Sequence, residues 1–168
     1  MMSAASAVVF LIAFLPADVL GQISPEDRYR ILPHFGFQFF STDRAGFFAG
    51  MTYRPSFESD REAFWAPVLR GEVGIAGGQL NVGLSRYFRP VISDVGGIGS
   101  AISVKGTLTY LRTWGDPAHV GPQQSFLGPE LQLMWSVVGL RLGYFGRVSG
   151  QSPGDQSFVT LGVVLGWH

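Results

Sequence analysis

Apolar residues alternate with small or polar residues over most of the chain after residue 30. The clearest stretch is the last one, where Val159, Leu161, Val163, Leu165 and Trp167 fall at every second position. Successive side chains of a β-strand point to opposite sides, so a period of two places these residues on one face. The pattern predicts a strand whose larger face needs an apolar cover.

The same alternation predicts seven further strands, at residues 30–40, 47–54, 69–76, 79–88, 101–114, 126–135 and 140–147. Gly77-Gly78 lies between the third and fourth and predicts a two-residue hairpin turn there. Residues 55–62 and 89–100 are predicted connections. No segment after residue 30 has the 3.6-residue period of an amphipathic helix, so the sequence predicts an all-β fold of eight strands.

The N-terminal segment differs from the rest of the chain. Residues 4–15 form an apolar run of twelve residues, and the small Gly21 follows six positions later. A run of this length is short for a bilayer span, which needs about 20 apolar residues. We expect residues 1–21 to be a secretory signal peptide, residues 22–29 a polar lead-in and residues 30–168 the barrel domain. The alternative is an N-terminal amphiphilic helix that stays on the protein.

The composition shows that the chain has few charged residues to cover a surface that faces water. Charged residues make up 14% of the 168, against about 25% in typical soluble domains, and aromatic residues another 14%. The formal net charge is zero, which gives no indication of a nucleic-acid partner. Cysteine is absent, which excludes disulfides, thiolate metal sites and a cysteine nucleophile.

The two strand faces differ in size, and this difference predicts which face points outward. The interior of an eight-stranded barrel has room only for packed side chains, so the bulky face fits better outside and the small or polar face inside. We therefore expect an all-β, eight-stranded antiparallel up-and-down transmembrane β-barrel. Outward aromatic residues would form girdles at the two membrane interfaces, with Tyr53, Trp65, Trp135 and Trp167 at one rim and Phe39, Phe47, Trp114 and Tyr144 at the other. Arg86 and Arg112 also face outward, but near strand ends, where a long side chain reaches the headgroups.

The last strand resembles the C-terminal insertion signal of bacterial outer-membrane barrels. In that signal a polar residue and a Gly precede alternate apolar residues that end in an aromatic, and Thr160, Gly162, Leu165 and Trp167 stand at those positions. His168 follows where the family usually ends on the aromatic residue. From the signal peptide to the last strand, the chain resembles small eight-stranded outer-membrane proteins of the OmpA and OmpX barrel kind.

This resemblance implies export to the bacterial outer membrane, with the lipid bilayer as partner and a monomeric state. It also implies that the outer-membrane assembly machinery recognises the final strand and closes it against the first. Barrels of this kind have short periplasmic turns and longer outer loops. The connections at 55–64 and 89–100 would be periplasmic and are longer than that pattern.

Charged residues on the predicted inward face are few. They are Arg54, Arg70, Glu72, Lys105, Glu130, Arg141 and Arg147. In a narrow lumen these charges must pair, because an unpaired buried ion costs several kcal/mol. The expected pairs are Arg141 with Glu130, and Glu72 with Arg70 or Arg54. The alternative to a structural network is a proton or ion pathway.

Candidates for catalysis are sparse. His34 points inward without a neighbouring serine or acid in sequence, so we expect it to form hydrogen bonds in the lumen. His119, with Asp116 and Ser125, would be the only basis for an acyl-transfer triad, and His168 is a terminal residue. No metal-ligand spacing is present, and GGIGS at 96–100 lacks the lysine and helix of a phosphate loop, so no catalytic residue, metal or cofactor is predicted.

These observations predict a barrel with a filled lumen, which excludes a general porin. The remaining role is structural, or is an interaction through the loops near 41–46, 115–124 and 149–156. Two alternatives stay open: an outer-leaflet lipid-modifying enzyme, and a soluble secreted barrel that binds a small apolar ligand.

Overall fold

The computed structural model describes residues 31–42, 44–53, 63–88, 102–118, 120–150 and 156–167. Within them, eight antiparallel strands close into one barrel in sequential order. The predicted all-β, eight-stranded up-and-down barrel is therefore confirmed. The predicted signal peptide, the lead-in, His119, His168 and Arg54 lie outside the described residues, as do the two long connections.

All eight strands have 10 to 12 residues. They are β1 Ile31–Phe40, β2 Arg44–Tyr53, β3 Ala63–Gly74, β4 Gly77–Phe88, β5 Ile102–Thr113, β6 Ser125–Trp135, β7 Val138–Ser149 and β8 Ser157–Trp167. β8 pairs with β1 from Phe35 opposite Trp167 to Phe40 opposite Gly162. This seam closes the sheet on itself, which removes the free edges that an open sheet would expose.

The two ends of the barrel carry different connections. One end, called the loop end below, has the turns at 41–43 and 75–76, the loop at 114–124 and the connection at 150–156. The opposite end, called the base, has the turn at 136–137, the connections at 54–62 and 89–101, the start of β1 and the end of β8.

The hairpin between β3 and β4 turns at Ile75 and Ala76, so the prediction of a turn at Gly77-Gly78 is wrong. Both glycines already belong to β4, and Gly78 pairs with Val73. A Cβ atom on Gly78 would overlap the ring of Trp114. Position 78 requires a small residue because an aromatic ring packs on the strand there. The sequence analysis assigned the two glycines to a turn and did not predict this contact. β3 also begins at Ala63, six residues before the predicted start.

Side chains alternate between the two faces of the wall, apart from an irregularity in the β6–β7 pairing at Ser125 and Phe126. In β5, Ser103, Lys105 and Thr109 are buried inside, whereas Leu108 and Tyr110 are exposed outside. The outer surface between the rims is almost entirely apolar on all eight strands, and includes Phe37, Met51, Leu69, Val82, Leu84, Leu108, Leu131, Leu133, Leu140, Leu142, Leu161 and Val163. We call this surface the apolar belt.

The inward face is larger and more aromatic than the expected small or polar face. Five apolar side chains fill the interior near the loop end: Leu111, Val120, Phe126, Phe145 and Phe158. The ring of Phe158 lies edge-on to Phe126 at 4.8 Å and stacks on Phe145 at 5.6 Å between centroids. A second group, Phe48, Met134 and Val164, is also buried inside. Inward glycines leave the volume that such rings occupy, since a Cβ on Gly162 would overlap the ring of Phe40.

Candidate functional site

A group of charged side chains inside the barrel is the candidate site. Its members are Arg70, Glu72, Lys105, Glu130 and Arg141, and each is almost completely buried. They come from β3, β5, β6 and β7, so barrel closure alone brings them together. Charges this far from water need close partners, because desolvating an ion costs several kcal/mol.

Arg141 is the centre of the group. Its Nε donates to Glu130 Oε1, and its Nη1 lies 2.6 Å from Glu72 Oε1 and donates to Gln38 Oε1 at 2.5 Å. Its Nη2 donates to Gln79 Oε1 and Asn81 Oδ1, each at 2.8 Å. The guanidinium therefore links β7 to β1, β3, β4 and β6. It also lies over the ring of Phe40, 4.5 Å from the centroid.

Arg70 binds the same two carboxylates from another side. Its Nε lies 2.7 Å from Glu72 Oε1, and its Nη2 lies 3.5 Å from Glu130 Oε1. Its Nη1 donates to Gln132 Oε1 at 2.6 Å, and its guanidinium stacks over Phe48 at 5.1 Å. Each carboxylate thus contacts two guanidinium groups, which offsets much of the desolvation cost of all four ions.

Amide side chains complete the hydrogen bonding around Glu72. Gln38 Nε2 donates to Glu72 Oε2 at 2.5 Å, and Asn81 Nδ2 donates to Glu72 Oε1 at 3.0 Å. Thr109 Oγ1 in turn donates to Asn81 Oδ1 at 2.7 Å. The sequence interpretation placed the charges on the inward face and missed these amides as partners. These amides could have been found from the sequence, because they occupy the same alternate, inward-facing positions as the charged residues. Buried amides that face charged groups are expected to form hydrogen bonds with them.

His34 lies inside the barrel on β1, where it is 2% exposed. Its Nε2 is 3.5 Å from Thr52 Oγ1, which is 3.1 Å from the hydroxyl of Tyr87. Ser125 is near the loop end, where its Oγ accepts a hydrogen bond from Arg112 Nη1 at 2.8 Å and lies 2.8 Å from the hydroxyl of Tyr110. The acyl-transfer triad considered from sequence depends on His119, which lies outside the described residues, so that triad stays a prediction.

The other residues singled out from sequence lie apart from the charged group. Arg147 is half-buried near the loop end, six residues from Arg141 or about 20 Å along the strand. Tyr53, Trp65 and Trp135 are exposed at the base. Tyr144 is exposed in β7, toward the loop end.

The remaining residues predicted from the sequence are Trp114 and those of the last strand. Trp114 is half-buried at the loop end, where its Nε1 donates to the carbonyl of Gly74 at 3.2 Å. In β8, Thr160 and Gly162 face inward and Leu165 faces outward, and the side chain of Trp167 lies outside the described residues.

The loop at 114–124 covers the loop end. The backbone N–H of Ala118 donates to Thr42 O at 3.0 Å, and that of Trp114 donates to Ala76 O at 3.1 Å. Val120 packs into the apolar group below. These contacts tie the loop to the two neighbouring turns, so side chains and backbone close the lumen on this side.

The described ranges contain neither a metal-binding cluster nor a membrane-spanning helix. Among them, no cluster of three or more His, Cys, Asp or Glu residues is arranged to bind a metal ion. No helix in this part of the chain is long and apolar enough to cross a bilayer. Comparison of the chain with protein-family models, curated proteins and solved structures gives no significant match.

Proposed function

We propose that the chain is a small bacterial outer-membrane β-barrel with a filled interior, which acts as a structural envelope protein or through its outer loops. The observation that carries this proposal is the reversal of the usual soluble arrangement. Leu131, in the middle of β6, is 53% exposed on the outer surface of the barrel. Glu72, a charged residue of β3, is 2% exposed and lies inside.

The apolar belt is difficult to reconcile with water as the surrounding solvent. Soluble monomers rarely expose a continuous apolar patch larger than a few hundred Å², and here the belt covers all eight strands. Acyl chains accept such a surface without cost. The strand lengths of 10 to 12 residues also agree with the length of about 9–11 residues that a tilted membrane strand needs.

Aromatic and basic residues at the base agree with a membrane interface. The guanidinium of Arg86 lies over the rings of Trp65 and Phe88, at 5.4 and 5.1 Å from their centroids. Outward aromatic rings at the level of the headgroups are typical of membrane barrels, and a neighbouring cation there reaches phosphate or water. Tyr53 and Trp135 extend this rim around the base.

The closed interior favours a role other than diffusion of solutes. Arg141 and its partners bridge the lumen, and the apolar side chains around Phe126 fill it near the loop end. The loop at 114–124 and the turns that it contacts form the surface available to a partner on that side. A structural or interaction role therefore fits better than that of a channel.

Electrophoresis of an envelope fraction with and without boiling tests the proposal. A closed membrane barrel resists sodium dodecyl sulfate until heated, so we expect a faster band in the unboiled sample and release from membranes by detergent alone. A protein that stays in the aqueous fraction after detergent-free lysis would contradict the membrane assignment and would favour the soluble secreted barrel.

A further inference from the structure

Three polar side chains form a cluster on the outer surface near the loop end. Arg112 Nη1 donates to Ser125 Oγ at 2.8 Å, and Ser125 Oγ lies 2.8 Å from the hydroxyl of Tyr110. Arg112 and Ser125 are directly opposed on β5 and β6, close to the loop ends of both strands. Tyr110 and Arg112 share the outward face of β5, because Leu111 between them is buried inside. The cluster is therefore separate from the charged group around Arg141.

This cluster has unused hydrogen-bond donors and no acid. A guanidinium has five N–H groups, and within the described ranges only Ser125 accepts a hydrogen bond from the side chain of Arg112. No carboxylate in those ranges forms an ion pair with Arg112. Ser125 and Tyr110 together have two hydroxyl hydrogens and use one of them in the bond between them, which leaves one donor. A ligand that matches the cluster is negatively charged and accepts several hydrogen bonds.

The guanidinium of Arg112 is held against the barrel wall. Arg112 is half-buried, and the serine that binds it is 2% exposed. On the other side, the ring of Trp114 lies against Gly78, the residue opposite Arg112 on β4. An arginine fixed in this way loses less side-chain entropy on binding than one that extends freely into solvent.

The surface from the cluster toward the base is apolar. Leu80 and Leu127 lie opposite Tyr110 on the two neighbouring strands, and both are exposed. Leu108, also exposed, lies four residues from Arg112, or about 13 Å along the strand. A ligand with an anionic group and a long apolar chain fits both parts of this surface, whereas a free anion fits only the cluster.

We propose that Tyr110, Arg112 and Ser125 bind the phosphate group of a membrane lipid whose acyl chains lie on the apolar belt. This inference rests on the proposed function, because it requires the belt to face lipid. A guanidinium binds phosphate oxygens through two parallel N–H groups, and the remaining hydroxyl hydrogen supplies a third donor. The site would fix one lipid at the rim from which the loop at 114–124 emerges.

Native mass spectrometry of the full chain, folded in uncharged maltoside micelles, tests the site. Dioleoyl phosphatidic acid and dioleoylglycerol are the probes, because they differ only in the phosphate group. We expect the first phosphatidic acid to bind about tenfold more tightly than dioleoylglycerol. Arg112→Met should abolish this preference, and Tyr110→Phe and Ser125→Ala should each weaken phosphatidic acid binding about two- to tenfold, the equivalent of one hydrogen bond.

Arg86→Met is the matched control. It removes an outward arginine from the base, where the guanidinium lies over the rings of Trp65 and Phe88, and should change the affinity for phosphatidic acid less than twofold. Equal losses in Arg86→Met and Arg112→Met would overturn the proposal, since any arginine at a rim would then have the same effect. Equal binding of the two lipids to the wild-type chain would also overturn it.

Two further outcomes distinguish the site from the membrane proposal. If inorganic phosphate binds as tightly as phosphatidic acid, the occupant is a soluble anion and the lipid site is wrong. A chain that shows the band shift on boiling but fails the lipid tests loses only this site, whereas a chain that stays in the aqueous fraction loses both proposals. If Arg112→Met does not fold, Tyr110→Phe and Ser125→Ala keep the arginine and must still weaken binding relative to Arg86→Met.

Discussion

Replacement of Arg141 by methionine is the most direct test of the interior network. Methionine keeps much of the length and apolar volume of the side chain and removes the charge and the five donor groups. The change leaves Glu72 and Glu130 buried and removes one hydrogen bond from each of Gln38, Gln79 and Asn81. The barrel backbone and the outer surface remain as they are.

The expected loss of stability follows from these contacts. Breaking a buried ion pair by removing one partner costs about 3–5 kcal/mol. Arg70 still contacts both carboxylates, at 2.7 Å from Glu72 and 3.5 Å from Glu130, which places the ionic part near the lower value. The hydrogen bonds lost by Gln38 and Gln79 add about 0.5–1.5 kcal/mol each unless these amides find new partners, whereas Asn81 Oδ1 keeps the bond from Thr109. We therefore expect Arg141→Met to lower the free energy of unfolding by about 3–6 kcal/mol.

Urea unfolding and refolding in detergent micelles, followed by tryptophan fluorescence, measures this loss. Arg86→Met is the matched control, because it removes an arginine from the outer surface whose guanidinium lies over the rings of Trp65 and Phe88, cation–π contacts worth about 0.5–1 kcal/mol. Equal losses in the two variants would refute the reasoning, since the interior arginine would then contribute no more than an exposed one.

A charge-conserving variant separates charge from geometry. Lysine at position 141 keeps the positive charge but cannot reach four strands with one planar group. We expect Arg141→Lys to recover only part of the stability that Arg141→Met loses. Full recovery would mean that charge neutralisation alone matters and that the hydrogen bonds to Gln79 and Asn81 are dispensable.

Three further changes test the wall, the outer surface and the loop end. Gly83→Ala places a Cβ atom on the carbonyl of Gly106 and should destabilise the barrel by about 1–3 kcal/mol in urea titrations. The control Gly106→Ala places its Cβ atom in open space and should change the stability little. Similar losses in both variants would contradict the packing argument. Leu131→Arg, in the middle of the apolar belt, should cost about 2–4 kcal/mol for folding into lipid vesicles, and unimpaired folding there would contradict the membrane assignment. Phe126→Ala removes the edge-on contact with Phe158 and should lower the unfolding free energy by about 3–5 kcal/mol, and a loss below 1 kcal/mol would show that the loop end is not tightly packed.

Much of the fold follows from local pattern. The alternation at Ile102, Ser103, Val104 and Lys105 assigns each side chain to a face without knowledge of any other strand. Repeated eight times along the chain, it leads to an up-and-down barrel, since a sheet of eight strands avoids exposed edges by closing. The turn between β3 and β4 was misassigned because Gly77 and Gly78 have the composition of a turn, whereas at Gly78 the tertiary contact with Trp114 requires the small residue.

The partners inside the barrel could not be derived in this way. Arg141 and Gln38 are 103 residues apart, and they meet only because the β1–β8 seam closes with a particular stagger. Strand tilt and stagger decide which inward residues lie at the same height along the barrel axis. The alternation of side chains along a strand determines neither quantity. The sequence therefore predicted that Arg141 and Glu130 would pair on adjacent strands, but not that Gln38 of β1 and Asn81 of β4, strands that pair with neither β6 nor β7, would join them.

The sequence by itself determined the strands, their order and which side chains face outward, because these depend on the pleat of the chain and on the sizes of neighbouring residues. Only the tertiary structure decided what fills the interior: a charged network around Arg141 and aromatic rings around Phe126. The physical reason is that faces are a local property of a strand, whereas contacts across a lumen depend on how the whole sheet closes.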